Sequence, residues 1–254
     1  TISMGSLSSA HYLCYGIRLE GTGTYKITRN KIAITATSTT SRGIVLFSGS
    51  TTDSSLVANN FLTVTGGNTS STGITLGGTN NLYVLYNNVL LTSANTTGGC
   101  FYIYSGYTSS NAVILNNILV NKGTGYSVNI ASGAGTKISK EDYNDLYVSG
   151  SNIATINGSN YTNLKSWITA SGYDSNSVNK NPGFVSNSDL HEASAGLYQK
   201  GTPHKFVIDD IDYNSRNTKT PCIGAVEFLL GNIDAGVTSL DSPAYYCPGS
   251  QVFY

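Results

Sequence analysis

Charged side chains are scarce in this chain. They make up 11% of its 254 residues, and the 14 Lys and Arg residues balance the 14 Asp and Glu residues to a formal net charge of zero. The basic residues are scattered, so no stripe of them could neutralise a phosphate backbone. We therefore expect no nucleic-acid partner.

Long apolar runs and paired metal-ligand motifs are also missing. No run approaches the roughly 20 residues of a membrane-spanning helix, so membrane insertion is not expected. The four cysteines show no CxxC or Cys/His spacing typical of zinc. Cys14 and Cys100 lie in strand-like stretches, where we expect buried thiols. Cys222 and Cys247 flank the C-terminal junction, where either a disulfide or two thiols would fit.

Carboxylates are nearly absent from the first 135 residues, which contain only Glu20 and Asp53. Glycoside hydrolysis needs two carboxylates that face one bond. These two come from different parts of the repeat described below, so the scarcity argues against hydrolase chemistry there. The histidines, which have no nucleophile at a recognisable spacing, are His11, His191 and His204.

An asparagine recurs at a nearly constant interval. It stands between apolar residues, in the pattern apolar, two variable residues, Asn, one variable residue, apolar. The copies contain Asn30, Asn59, Asn87, Asn116 and Asn144, and subtraction gives intervals of 29, 28, 29 and 28 residues. A period of this length predicts stacked coils, because one coil cannot cover its own apolar side.

A second motif follows nearly the same period. Its clearest copies begin at Gly16, Gly43 and Gly73 and read Gly-Ile-x-Leu, and a looser copy begins at Cys100. Each period therefore holds at least two short strands with alternating apolar residues. The sequence predicts an all-β, right-handed parallel β-helix with coils of about 28–29 residues and an irregular C-terminal cap.

The recurring asparagines are predicted to form a structural ladder. Asn tolerates the left-handed backbone conformation of a sharp bend, and its amide can hydrogen-bond to the equivalent Asn one coil away. The predicted ladder contains Asn30, Asn59, Asn87, Asn116 and Asn144.

The C-terminal part carries a family resemblance. The segments DYNDLYV, NLKSW, DIDYNSR and PCIGAVEF, between residues 142 and 228, resemble the closing segment of right-handed β-helix repeat proteins of the secreted, pectate-lyase-like type common in Bacteroidetes. The resemblance implies a solenoid cap at residues 151–230, after coils at residues 1–150. The sequence departs from the family at Tyr213, where Gly is usual, and at Cys222, where Asp is common.

Residues 231–254 resemble a linker and the first strand of an immunoglobulin-like adhesion module. Such modules follow β-helices in large bacterial surface proteins. The resemblance therefore implies that the chain is part of a longer protein, with flanking domains, at the cell surface or in the secreted fraction.

Two acidic clusters are candidate sites. Asp209, Asp210 and Asp212 are followed by Arg216, and this group fits either a calcium site or an Asp–Arg pair that pins a loop in the cap. The second cluster lies in one local stretch, where we expect a solvated turn. It contains Glu141, Asp142 and Asp145, with Lys137 and Lys140. No cofactor other than calcium is indicated.

Stacking the Gly-Ile-x-Leu strands in register places aromatic side chains on one outer face. One column contains Arg18, Val45, Thr75 and Tyr102, and the next contains Glu20, Phe47, Gly77 and Tyr104. Phe47, Tyr102 and Tyr104, with Tyr107 near the end, could stack on sugar rings. The alternative is that the rings pack under a loop or lie along the sheet.

These observations favour a non-catalytic extracellular module, an adhesin or stalk segment whose aromatic face contacts a glycan or another surface partner. The alternative is a polysaccharide lyase or glycoside hydrolase, which rests on analogy of fold alone.

Overall fold

The chain repeats three strands in a fixed order, and equivalent strands stack into three parallel sheets. The computed structural model describes residues 2–4, 13–36, 40–47, 49–66, 70–92, 97–106, 110–134 and 138–230. Five consecutive sets of three strands form successive coils. The predicted parallel β-helix is confirmed, and right-handed winding is the sense that connections between parallel strands favour.

The sheets are named A, B and C. Sheet A contains β1 (Ile2–Met4), β4 (Lys31–Ala36), β7 (Phe61–Gly66), β10 (Asn88–Leu91), β13 (Ile118–Asn121) and β16 (Asp145–Val148). Sheet B contains β2 (Leu13–Glu20), β5 (Thr40–Phe47), β8 (Thr72–Gly77), β11 (Gly99–Ile103), β14 (Tyr126–Ile130), β17 (Ala154–Ile156) and β18 (Ser159–Tyr161). Sheet C contains β3 (Lys26–Thr28), β6 (Ser55–Ala58), β9 (Leu82–Leu85), β12 (Ala112–Leu115) and β15 (Ile138–Asp142). Only β17 and β18 pair antiparallel among these strands.

The interior of the coils is a continuous apolar core. Ile44 and Leu46 point inward from sheet B and are fully buried, as the alternation of the Gly-Ile-x-Leu motif predicts. The glycine of the motif is required by close packing, because a Cβ at Gly43 would lie 2.5 Å from the methyl groups of Leu62 on the facing sheet. The motif therefore marks where sheets A and B approach each other most closely.

A ladder of asparagines lines the bend between sheet C and sheet A. In every rung but the last, the backbone N–H and the side-chain amide both donate to the Oδ1 atom of the next rung, as Asn87 does to Asn117 at 3.0 and 2.9 Å. The amide of Asn87 also donates to the carbonyl of Val57 in the coil before, and the amides of Asn60 and Asn117 do the same. Each of these three central rungs therefore ties three coils together. The rungs are Asn30, Asn60, Asn87, Asn117 and Asn144.

The predicted ladder was wrong at two positions, since Asn60 and Asn117 replace Asn59 and Asn116. The true intervals alternate between 30 and 27 residues. The residue before each rung has the left-handed conformation, and at two bends that residue is itself an asparagine, Asn59 (φ 54°) or Asn116 (φ 60°). Either asparagine of an Asn-Asn pair could form the rung, and an even spacing between the coils favoured the wrong asparagine of each pair.

The ladder and the core both close at the C-terminal end. Asp174 accepts the amide of Asn144 at 3.1 Å and the indole N–H of Trp167 at 2.8 Å. Trp167 is fully buried and lies on α1 (Leu164–Ser171). Asn163 is the N-cap of this helix, and its side chain accepts a hydrogen bond from the N–H of Ser166 at 2.9 Å. A short helix thus places an indole over the last coil.

The C-terminal segment, residues 181–228, packs back along the outside of the solenoid. Its side chains Leu190, Leu197 and Ile223 bury the outward residues Phe61 and Leu90 of sheet A. Its Val207 packs on sheet C, in a cluster with Leu85 and Leu115. The described contacts of this segment therefore fall on sheets A and C.

Removing a central rung should destabilise the protein strongly. Asn87→Ala deprives the buried N–H groups of Asn60 of their acceptor, and we expect the free energy of unfolding to fall by about 3 kcal/mol. Asn30→Ala is the matched control, because this end rung is half-buried and its loss should cost about 1 kcal/mol. Equilibrium unfolding in urea measures both, and equal losses would contradict a cooperative role for the buried ladder.

Candidate functional site

The outer face of sheet B carries the predicted columns in the predicted register. Arg18 pairs with Val45, Val45 with Thr75, and Thr75 with Tyr102. In the next column Glu20 pairs with Phe47, and Phe47 with Gly77. A Cβ at Gly77 would lie 2.4 Å from the ring of Phe47, so the ring packs closely against this glycine. We call this surface the aromatic face.

The structure brings Phe47, Tyr102 and Tyr104 together. The ring centroids of Phe47 and Tyr104 are 5.9 Å apart, and those of Tyr102 and Tyr104 are 5.4 Å apart in an edge-to-face arrangement. Arg42 donates to the hydroxyl of Tyr104 at 2.6 Å. All three residues are half-buried. Tyr107 lies outside the described residues.

A polar groove borders the aromatic face at Tyr102. The hydroxyl of Tyr126 donates to Oδ1 of Asn160 at 3.0 Å, and within the described residues the amide nitrogen of Asn160 has no hydrogen-bond partner. Burial and the neighbouring Tyr104 raise the pKa of the Tyr102 hydroxyl, which therefore remains a neutral donor. The groove is lined by Thr97, Tyr102, Tyr126, Asn129, Ala131, Ser132, Thr155, Gly158 and Asn160. Sequence reasoning missed the polar residues of the groove, because they come from several separate strands and turns.

The three aspartates of the predicted calcium or pinning site do not converge. Asp209 pairs with Arg29, and Asp212 contacts His191 at 2.7 Å. Asp210 is fully buried and accepts the backbone N–H groups of Asp212, Asn214 and Glu227 at 2.8–2.9 Å. Its oxygens are thus occupied by the turn itself, which favours the pinning interpretation.

Arg216 holds the C-terminal segment against the ladder bend. Its guanidinium lies 3.8 Å from the centre of the Tyr86 ring and donates to Oδ1 of Asn59 at 2.9 Å. It also contacts Glu227 at 3.4 Å. The expected Asp–Arg pair is therefore replaced by an Arg–Glu pair, and Asp210 reaches this network through the N–H of Glu227.

Tyr213 has a backbone conformation that favours glycine, since its φ is 68°, in the left-handed region. The ring stacks on the guanidinium of Arg29, whose carbon lies 4.4 Å from the ring centre. A cation–π contact thus accompanies the strained backbone.

The residues that precede the rungs fasten the C-terminal segment, a role that the sequence did not predict. Asn59 donates to the carbonyl of Asp209 at 2.8 Å, and Tyr86 and Asn116 both donate to the carbonyl of Thr202, at 2.6 and 2.9 Å. These residues share the left-handed backbone conformation, which turns their side chains away from the core. No sequence pattern marks it, because Arg, Asn and Tyr all occupy the position.

The second acidic cluster is buried, so the predicted solvated turn was wrong. Glu141 is 2% exposed, and Asp142 and Asp145 are also buried. Glu141 occupies an inward position of β15, in register with the core residue Ile114. Burial, together with the nearby Asp174, raises the pKa of Glu141 well above its usual value. Neither of its oxygens is hydrogen-bonded within the described residues, so the neutral acid is favoured.

The cysteines are buried as far as the structure describes them. Cys14 lies in β2. Cys100 lies in β11, at the position that glycine occupies in the Gly-Ile-x-Leu motif. Cys222 donates its thiol to the carbonyl of Phe228 at 3.4 Å. Cys247 and His11 lie outside the described residues, so the pairing of Cys222 with Cys247 stays a prediction.

Comparisons with protein-family models, with curated proteins and with solved structures found no match for this chain. Over the part of the chain that the structure describes, no three His, Cys, Asp or Glu side chains form a group that could hold a metal ion. In the same residues, no helix is long and apolar enough to cross a membrane. The function must therefore be inferred from the side chains themselves.

Because Asp210 pins the turn, we expect its removal to lower the stability of the protein strongly. We expect calcium to leave the stability unchanged. Asp210→Ala leaves three backbone N–H groups without their acceptor, and we expect the free energy of unfolding to fall by about 3 kcal/mol or more. Asp212→Ala, in the same turn but partly exposed, should cost about 1 kcal/mol or less. Thermal unfolding should be unchanged by EGTA. A calcium-dependent rise in melting temperature would refute the assignment.

The buried Glu141 predicts that stability falls as pH rises. Its pKa is raised in the folded protein, so the unfolded chain, with a carboxyl pKa of about 4.3, releases the proton first. The stabilisation that protonated Glu141 contributes is complete at pH values below the unfolded pKa. Above that pKa the free energy of unfolding falls by about 1.4 kcal/mol per pH unit. Glu141→Gln should flatten this dependence above the unfolded carboxyl pKa of about 4.3, measured by denaturant unfolding. The exposed Glu20→Gln is the control, and equal slopes in both variants would contradict the prediction.

Proposed function

We propose that the chain is a non-catalytic, extracellular β-helix module that binds a glycan along the aromatic face and its polar groove. The observation that carries the proposal is the junction at Tyr102. There an aromatic cluster meets a groove lined by hydroxyl and amide groups. The faces of aromatic rings pack against the C–H surfaces of sugar rings, while amides and hydroxyls exchange hydrogen bonds with sugar hydroxyls.

The groove beside Tyr102 favours a neutral sugar, because none of its lining residues is charged. On the neighbouring aromatic face Arg18 pairs with Glu20, and the guanidinium of Arg42 donates to the hydroxyl of Tyr104. An uncharged glycan in the groove would therefore meet donors and acceptors that match its hydroxyl groups.

The same lining gives no support to the lyase or hydrolase alternative. Hydrolysis requires two carboxylates that face the scissile bond. No groove-lining residue carries a carboxylate, and Glu141, Asp145 and Asp210 are all buried away from solvent. We propose further that the module belongs to the secreted, Bacteroidetes-type β-helix repeat proteins. In the parent protein it would act as an adhesin or stalk segment, with an immunoglobulin-like module after residue 230.

A glycan array with two single variants tests the proposal. We expect the wild-type chain to bind one or more neutral glycans, and Tyr102→Ala or Asn160→Ala to reduce that binding at least about tenfold. Tyr83→Ala is the matched control, because Tyr83 is also a half-buried tyrosine that points outward, but from sheet C. Its neutral-glycan binding should equal that of the wild type.

The proposal fails if no neutral glycan binds, or if Tyr102→Ala binds like the wild-type chain. Release of unsaturated or reducing sugar ends from a panel of pectins and alginates would instead establish the enzyme. Circular dichroism and thermal unfolding of each variant show whether a loss of binding reflects a loss of fold.

A further inference from the structure

A buried carboxyl group lies between the C-terminal segment and sheet A. Glu192 belongs to the segment and is 4% exposed. Its Oε2 atom accepts the side-chain amide of Asn88, a fully buried outward residue of β10, at 2.7 Å. Its Oε1 atom is also buried and has no hydrogen-bond partner among the described residues. Because an ionised carboxylate would leave this oxygen unpaired and without water, the contact favours the protonated acid.

A second stretch of the segment closes over this carboxyl group. A Cβ at Gly224 would lie 2.6 Å from Oε1 of Glu192 and 2.5 Å from the side chain of Ile118, so glycine is required there. The next residue, Ala225, donates its N–H to Oδ1 of Asn88 at 2.8 Å. The carboxyl group is therefore enclosed between two stretches of the segment and the outer side of sheet A.

Three charged side chains act on Glu192, and only one of them favours its ionisation. Arg216 is that one, and its guanidinium is shared with Glu227 at 3.4 Å. Asp145, on β16 of sheet A, is fully buried and has one oxygen without a hydrogen-bond partner in the described residues. Burial raises the pKa of Glu192 well above its usual value, and repulsion by Asp145 and Asp210 adds to the effect. The closed segment therefore holds a proton that the solvated side chain would release at lower pH.

We infer that the C-terminal segment is a proton-dependent strap, which lies closed over sheet A while Glu192 is protonated and opens as Glu192 loses its proton. Opening returns the carboxylate to water and uncovers the apolar side chains of Phe61 and Leu90, which the segment buries. The coils can persist without the strap, because their core lies on the inner side of the sheets. The inference is independent of the glycan site on sheet B.

The direction of the pH dependence follows from the linkage between proton release and opening. In the open strap the pKa of Glu192 returns to about 4.3, whereas in the closed strap it is raised. Below the open-state pKa both states hold the proton, so the closed strap has its full stability. Above it the equilibrium constant for opening should rise by up to about tenfold per pH unit, until the pH reaches the pKa of the closed state.

Two buried thiols distinguish opening of the strap from unfolding of the whole protein. Cys222 lies in the strap and Cys100 lies in the core of the coils, and both are fully buried. The test measures the reaction of each thiol with N-ethylmaleimide, by peptide mass spectrometry, at a series of pH values above about 4.3. Each rate is divided by the rate in the urea-unfolded chain at the same pH, because the thiolate fraction itself rises with pH. We expect Cys222 to react faster than Cys100, and its normalised rate to rise with pH.

Two isosteric variants assign the pH dependence to one carboxyl group. Glu192→Gln keeps the size of the side chain and stays neutral at every pH, so the normalised rate of Cys222 should lose most of its rise with pH. Glu141→Gln is the matched control, because Glu141 is also a buried carboxyl group but points into the core from β15. It should leave the normalised rate of Cys222 unchanged and flatten the pH dependence of Cys100.

Three results would each overturn the inference. The first is an equal normalised rate for Cys222 and Cys100 in the wild-type chain, which means that the segment and the coils unfold together. The second is a normalised rate of Cys222 that does not rise with pH. The third is a Glu192→Gln variant in which that rise persists. The first two results need only the wild-type chain, so they decide the question even if circular dichroism shows that Glu192→Gln does not fold.

Discussion

The fold depends on how buried polar groups are satisfied at the bend between sheets C and A. At the central rungs of this bend a backbone N–H and a side-chain amide are buried, and the ladder pairs both with one oxygen of the next rung. The pairing has a direction, because each rung donates toward the C-terminal end. The last partner must therefore accept without donating, and a carboxylate does so. Asp174 fills that position, with Asn144 and Trp167 as donors.

The same bend also organises the outside of the solenoid. The residue before each rung has positive φ, so its side chain leaves the core, and Asn59, Tyr86 and Asn116 use this direction to hold the C-terminal segment. One local conformation thus serves two purposes, since the rung stabilises the stack of coils while its neighbour anchors a segment more than 80 residues away. Sheet A, which borders the bend, is consequently the sheet that this segment buries.

The sequence predicted those features that repeat and missed those that do not. The coil period, the inward Ile44 and Leu46 and the outward columns of sheet B follow from two-residue alternation and could be derived. The choice between Asn59 and Asn60 could not be made from the sequence, because both are asparagines and only the backbone conformation distinguishes them. Glu141 was misplaced because a charged residue near lysines resembles a solvated turn, whereas its register with Ile114 directs it inward. The path of residues 181–228 has no periodicity, so nothing local predicts it.

A solenoid of three sheets presents three outer surfaces whose side chains hardly interact, because the core lies between them. The C-terminal segment buries the outer residues of sheet A and packs on sheet C through Val207, whereas none of its described contacts falls on sheet B. Sheet B is therefore the sheet whose outer side chains this segment leaves uncovered, and those side chains include the clustered rings of Phe47, Tyr102 and Tyr104. The regular alternation that buries one side of each strand in the core thus also decides which aromatic rings face outward, because successive side chains of a strand point to opposite faces.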